Sequence, residues 1–155
     1  MPKDLGERQV GIWTRVAASP SPFKVGPAQE EIGRADAAAR GWVVEDVYRL
    51  EGVSAGAVRA HPETARMLAD ARSGRISALI CSDLTRLGRS TEDVRLLIEE
   101  LERYEVHLVS VEEKIDTTSG DGRFVLNLIS TMAAYENRFG EPDSDLPPEY
   151  EPRTA

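Results

Sequence analysis

At 155 residues with 41% apolar content, the chain has the size for one domain built around one core. No run approaches the roughly 18 apolar residues that span a bilayer, and Met1-Pro2-Lys3-Asp4 lacks the apolar stretch of a signal peptide, so a cytoplasmic protein without membrane contact is expected. A formal net charge of −8 argues against nucleic-acid binding by bulk attraction, and a single cysteine, Cys81, excludes a disulfide or zinc framework.

The charge is uneven. From Glu141 onward five acids (Glu141, Asp143, Asp145, Glu149, Glu151) stand against Arg153, a net −4 and half of the excess. Residues 1–8 are polar and expected to be disordered. Gln9 to Val16 alternates polar and apolar residues at its start and reads as the first strand. Ala17 to Gly26 carries Ser19, Pro20, Ser21 and Pro22 and reads as a loop at a strand end, where open α/β sheets place ligands. A helix is expected from Pro27, with Ile32, Ala35 and Ala39 on one face and Gly41 as its stop.

Trp42-Val43-Val44 and Val47-Tyr48 read as the second strand, and Glu51 to His61 as a loop around Gly52, Ser54 and Gly56. Pro62 starts a helix carrying Ala65, Met67, Leu68 and Ala71 up to Ser73-Gly74. Ile76 to Cys81 is the third strand, where Cys81 reads as a buried structural thiol rather than a reactive one. Val94, Leu97, Ile98 and Leu101, at i, i+3, i+4 and i+7, mark an amphipathic helix. Val106 to Val111 is the fourth strand, and Lys114 to Thr118 a short extended piece before the turn Ser119-Gly120-Asp121-Gly122.

The last helix is expected from about Arg123 to Arg138. Its apolar residues (Phe124, Val125, Leu126, Leu128, Ile129, Met132, Ala133, Ala134, Tyr135) go most of the way round, so it needs more than one surface to bury against. One face is read as packing on the sheet and another on a second subunit; a helix sandwiched inside the monomer is the alternative. Residues 140–155, acidic and proline-rich, read as a disordered tail. Strands alternating with helices of these lengths predict an α/β fold, a small, mostly parallel sheet flanked by helices.

The most informative stretch is Leu79 to Ser90, LICSDLTRLGRS. Its apolar start reads as a buried strand, and Ser90-Thr91-Glu92-Asp93 opens the next helix. Arg86 and Arg89 lie between the two. Planar guanidinium forks at a strand-to-helix junction suit a phosphate, and a helical turn there would put both on one face.

WTRVAA at residues 13–18, GVSAG at 52–56, HPETARML at 61–68, LTRLGRS at 84–90 and IDTTSGDGRFVLNLISTMAAYENR at 115–138 together resemble, in this order and spacing, the catalytic domain of the serine recombinases, the resolvase and invertase family. The resemblance covers Gln9 to Arg138, and a catalytic domain over 9–139 is expected. It implies an α/β domain with a long last helix that pairs two subunits through residues 123–138, as a homodimer or with another recombinase. It implies DNA as partner and strand exchange through a phosphoserine link, with no metal or cofactor. By the same resemblance Arg15, Arg86 and Arg89 hold the scissile phosphate, where fixed guanidinium donors stabilise the charge that builds on phosphoryl oxygens. Ser54 matches a polar active-site serine of the family.

The departures from that pattern bear on function. The family's nucleophilic serine is replaced by Ala17, which has no atom able to attack phosphorus. Thr85 stands where the family usually has an aspartate, and a threonine hydroxyl is no acid or base near neutral pH. His61 stands in place of an arginine before the proline, with Arg59 nearby, and Asn137 replaces an arginine after Glu136. Family members continue into a basic stretch and a DNA-binding domain, whereas the acidic tail here is expected to repel phosphate, so DNA binding by this chain alone is expected to be weak or lost. The expectation is a catalytically inactive recombinase-like domain acting by association with a recombinase or DNA. The alternatives are an active enzyme with a displaced serine, Ser19 or Ser21, and a mobile-element remnant.

Overall fold

The structure is a computed structural model that describes residues 8–17 and 25–117. Residues 1–7, Ser19, Ser21, the expected last helix at 123–138 and the tail at 140–155 lie outside the described residues. Strand β1 (Gln9–Val16) leads to helix α1 (Val25–Arg40), β2 (Val43–Glu51), α2 (Pro62–Arg72), β3 (Ala78–Cys81), α3 (Thr91–Arg103), β4 (His107–Ser110) and β5 (Ile115–Asp116). Short 3-10 turns occupy Ala55–Ala57 and Leu84–Arg86.

The strands form one sheet in the order β2-β1-β3-β4-β5. The first three pairings are parallel, and β5 returns antiparallel to β4. The expected α/β class and mostly parallel sheet are found. Because β1 is central, the alternation read at its start does not produce one wet face: Val10 to Arg15 are all buried. β2 is one continuous edge strand, and Glu45, Arg49 and Glu51 are exposed along it, a common protection against pairing with another chain.

Two apolar layers fill the two faces. α2 and α3 contribute Met67, Ala71, Val94, Leu97, Ile98 and Leu101 to one layer, against Trp13, Tyr48, Leu79 and Leu108. The stripe read in α3 is thus the buried stripe. On the other face Ala37 of α1 packs with Val10, Ile12, Val47, Ala78, Ile80 and Val109.

α1 departs from the reading in two ways. It begins at Val25, so Pro27 sits in its third position, where a missing N–H breaks no intrahelical bond. Its apolar face of Ile32, Ala35 and Ala39 points away from the sheet, with Ile32 43% exposed, and the buried row is Gln29, Gly33 and Ala37. The cause is close approach: a Cβ on Gly33 would lie 2.8 Å from Ile12 Cγ2, so only a residue without one lets the helix lie this near β1. Gly41, at φ 75°, stops the helix as expected. Its N–H donates to Ala38 O at 3.1 Å and that of Trp42 to Ala37 O at 2.9 Å, the paired bonds of a Schellman cap. The guanidinium groups of Arg8 and Arg40 both lie over the Trp42 ring, 5.7 and 4.8 Å from its centroid.

Among the described residues no helix is long and apolar enough to cross a membrane, and no group of three or more His, Cys, Asp or Glu is placed to hold a metal ion.

Candidate active site

The β1–β3 ladder ends at Trp13–Cys81, so β1 runs on past its neighbour at its carboxyl end. A side-chain amide takes over there. Arg15 N donates to Gln29 Oε1 at 3.0 Å, and Gln29 Nε2 donates to Arg15 O at 2.9 Å, so Gln29 imitates a neighbouring peptide group. Burial of Arg15 follows, since it is 1% exposed, and its guanidinium must then find partners in the protein. Its Nη1 donates to Val53 O and its Nη2 to Thr85 O, each at 3.0 Å.

Those two bonds gather the ends of three parallel strands. Val53, just past β2, also donates its N–H to Val16 O at 2.9 Å. Thr85 and Arg86 lie in the turn just past β3. Arg86, 6% exposed, donates from Nη1 to Arg15 O at 3.3 Å and pairs through Nε with Asp83 Oδ2 at 3.4 Å. Its own carbonyl accepts the Trp13 indole N–H at 2.8 Å.

Asp83 is the hub of the turn. It caps the 3-10 segment by accepting from Thr85 N at 3.0 Å, and it also accepts from Ser82 Oγ at 3.2 Å and from the Thr85 hydroxyl. Glu113, after β4, accepts from Leu84 N at 3.3 Å and from the Ser110 hydroxyl. Burial pushes the Glu113 carboxyl above its ordinary value, with the Asp83 charge adding to the effect and the Ser110 bond opposing it. Burial likewise raises the Cys81 thiol well above its usual range, in keeping with an inert structural cysteine.

The structure brings Arg15, Thr85 and Arg86 into one bonded cluster, with Ala17 two residues beyond Arg15 on the same strand exit. Ser54 follows Val53 and is exposed, and its side chain makes no capping bond to the 3-10 turn it precedes. Arg86 and Arg89 do not share a helical face. The turn ends at Arg86, whose side chain goes inward to Asp83, whereas Arg89 is exposed and lines an open cleft with Gly56, Arg59, Gly88 and Asp93. Gly56 makes room there, since a Cβ on it would lie 3.2 Å from Arg89 Nη1. Arg59 in the same cleft is paired with Glu100 at 2.8 Å. His61 caps α2, its Nδ1 accepting from Glu63 N at 3.0 Å.

Three residues of this cluster escaped the sequence reading. Asp83 carries a usable signal, an acid one residue before a turn. Gln29 and Glu113 carry none, because their partners are Arg15 and Leu84, 14 and 29 residues away in sequence. Chemically, the site presents two buried guanidinium groups that donate to carbonyl and carboxylate oxygens, an exposed arginine in a cleft, and a methyl group at position 17.

A mostly parallel α/β sheet that collects arginines at the carboxyl ends of its strands agrees with the fold that the sequence resemblance implied. The chain belongs to the serine recombinases: the family described as "Resolvase, N terminal domain" matches residues 15–141. A curated relative, "Probable DNA-invertase y4cG" of Sinorhizobium fredii (strain NBRC 101917 / NGR234), is 37% identical over 81 residues, 52% of this chain. That segment is 26% of the relative's own length, so the chain spans about a quarter of it. Among solved structures, the N-terminal catalytic domain of TP901-1 integrase is 27% identical with a TM-score of 0.68, over 86% of this chain and 100% of that one. A resolvase family site-specific recombinase from Streptococcus pneumoniae is 25% identical with a TM-score of 0.64, over 82% of this chain and 87% of that one.

Proposed function

We propose that this chain is a recombinase-family domain that does not cut DNA and acts by association with DNA or with a recombinase partner, pairing through residues 123–138. The observation that carries the reading is Ala17. At the strand exit two residues past Arg15, where the resemblance puts the attacking serine, the side chain is a methyl group, and no phosphoserine link can form there. Supporting it, the Arg15 and Arg86 guanidinium groups donate to Val53 O, Thr85 O and Arg15 O and to Asp83, so both hold the strand ends together. Arg89 and Arg59 are the exposed cations of the neighbouring cleft and the natural first contact for a phosphate. DNA as partner comes from the relatives, whose names describe a DNA-invertase and a site-specific recombinase.

The test is a nicked DNA duplex incubated with the protein and examined for a covalent protein–DNA adduct. No adduct is expected from the wild type. An adduct mapped to Ser19 or Ser21 would overturn the reading in favour of an active enzyme with a displaced nucleophile. Fluorescence anisotropy across a salt series reports the non-covalent part: salt-sensitive binding that Arg89→Ala reduces supports phosphate contact, and its absence leaves the protein partner alone.

A further inference from the structure

We propose that Asp83 is a built-in anion that occupies Arg86 in place of a DNA backbone phosphate, so that the chain holds one of its own phosphate contacts closed. The inference rests on the DNA-association part of the reading above and deepens it by naming the group that opposes the contact.

The two buried arginines are held differently. Arg15 donates from Nη1 and Nη2 to the main-chain carbonyls of Val53 and Thr85, each at 3.0 Å, the ordinary length for such a bond. Arg86 reaches Arg15 O at 3.3 Å and Asp83 Oδ2 at 3.4 Å, whereas a guanidinium bonded to a carboxylate closes to about 2.7–2.9 Å. The Arg15 carbonyl has a closer donor in Gln29 Nε2, at 2.9 Å, and does not depend on Arg86. At this separation the attraction between Arg86 and Asp83 offsets little of what it costs to take two charges out of water. Arg15 is therefore the fixed strut of the turn, and the Arg86–Asp83 pair is its exchangeable contact.

Asp83 is arranged to let go. Its Oδ1 accepts from Thr85 N at 3.0 Å and from the Thr85 hydroxyl, which makes the cap on the 3-10 turn. Arg86 uses the other oxygen, Oδ2, which also accepts from Ser82 Oγ at 3.2 Å. Release of Arg86 thus leaves the cap in place. The backbone is held as well, since Leu84 and Leu87 on either side are buried in the core and the Arg86 carbonyl accepts the Trp13 indole N–H at 2.8 Å. The exchange is a side-chain movement with no refolding. Nor is the pair sealed, because the Arg86 and Asp83 side chains each keep 7% exposure.

A phosphodiester offers its unbridged oxygens and a full negative charge to the same guanidinium fork, and so competes with Asp83 for it. Asp83 opposes that exchange twice, by covering Nε and by repelling the incoming anion. Arg89, exposed three residues further on, takes the first phosphate contact, and Arg86 adds a second only once Asp83 has released it.

The experiment is fluorescence anisotropy of a labelled DNA duplex with the full chain, comparing wild type, Asp83→Asn and, as a control for bulk charge, Glu51→Gln, an exposed carboxylate at the carboxyl end of β2. Asparagine keeps an oxygen for Thr85 N and removes the charge. Thermal melting checks each chain, and Asp83→Ser, which keeps a capping hydroxyl, carries the same comparison where the asparagine chain is unfolded at the assay temperature. Asp83→Asn is expected to tighten binding about tenfold and to steepen the slope of log affinity against log salt by about 0.9, the mark of one more phosphate. Glu51→Gln should change affinity less than about twofold, because an exposed charge is screened. Equal gains in the two variants would overturn the proposal, as would no gain in Asp83→Asn. A gain that persists when Arg86→Gln is added would also overturn it, by placing the new contact elsewhere. Binding by Asp83→Asn over a wild type that binds no DNA would support it while removing DNA from the reading above, so the two fail separately.

Discussion

Gln29 on α1 holds both main-chain groups of Arg15 on β1, accepting from its N–H and donating to its carbonyl at 3.0 and 2.9 Å. The helix thereby fixes the strand exit that carries position 17. In Gln29→Ala the Arg15 carbonyl keeps its bond from Arg86, but the buried N–H loses its Gln29 acceptor, which typically costs about 1–3 kcal/mol. A lowered urea midpoint with an unchanged slope is expected, and an unaltered midpoint would show that the pair carries no stability.

Asp83 accepts from four donors, two of them charged or main-chain groups of the arginine turn. Asp83→Ala takes one acceptor from the buried Arg86 and from Thr85 N and the Ser82 and Thr85 hydroxyls, a loss of about 1–3 kcal/mol. Asp83→Asn keeps the shape and an acceptor and should cost less. Thermal unfolding of the two variants orders them, and equal melting temperatures would contradict a role for the charge.

Glu113 sets an acid-side dependence. Its folded carboxyl is raised above the ordinary value of 4.5, so between that value and the higher folded one the native state holds the extra proton. Stability from this group is present below about pH 4.5 and declines as pH rises through the window. Glu113→Gln removes the titration while its amide oxygen still faces Ser110 and Leu84 N. The difference in unfolding free energy between wild type and variant should therefore move in the variant's favour as pH rises from 4 to 7. A difference independent of pH would refute the assignment.

Gly33 is a packing requirement. Gly33→Val forces a branched side chain against Ile12, which is fully buried, and overpacking of this kind costs about 1–3 kcal/mol. A lower urea midpoint is expected, and a helix displaced without loss of stability would show that α1 has room to move.

How much was legible in the sequence follows from what each residue packs against. Val94, Leu97, Ile98 and Leu101 announced their face because a hydrophobic stripe was the whole of their role. α1 was misleading, since its buried row is a glycine chosen for space, an alanine, and a glutamine that serves a distant peptide group. Hydrophobicity counts none of these. The resemblance singled out Arg15, Thr85 and Arg86, which the fold brings into one bonded cluster, but the inward turn of Arg86 was not legible. That direction is decided by Asp83, three residues earlier, and by the Arg15 carbonyl 71 residues away in sequence.

The indole bond from Trp13 to the Arg86 carbonyl has a spectroscopic consequence. The chain has two tryptophans, Trp13 at the floor of the arginine turn and Trp42 at the opposite, amino-terminal end of the sheet beside the Arg8 and Arg40 guanidinium groups. Each end of the domain thus carries its own emitter. Fluorescence of a Trp42→Phe protein isolates Trp13, and its wavelength then registers whether the turn holding Arg86 stays closed when DNA or a partner arrives, without any label attached to the molecule.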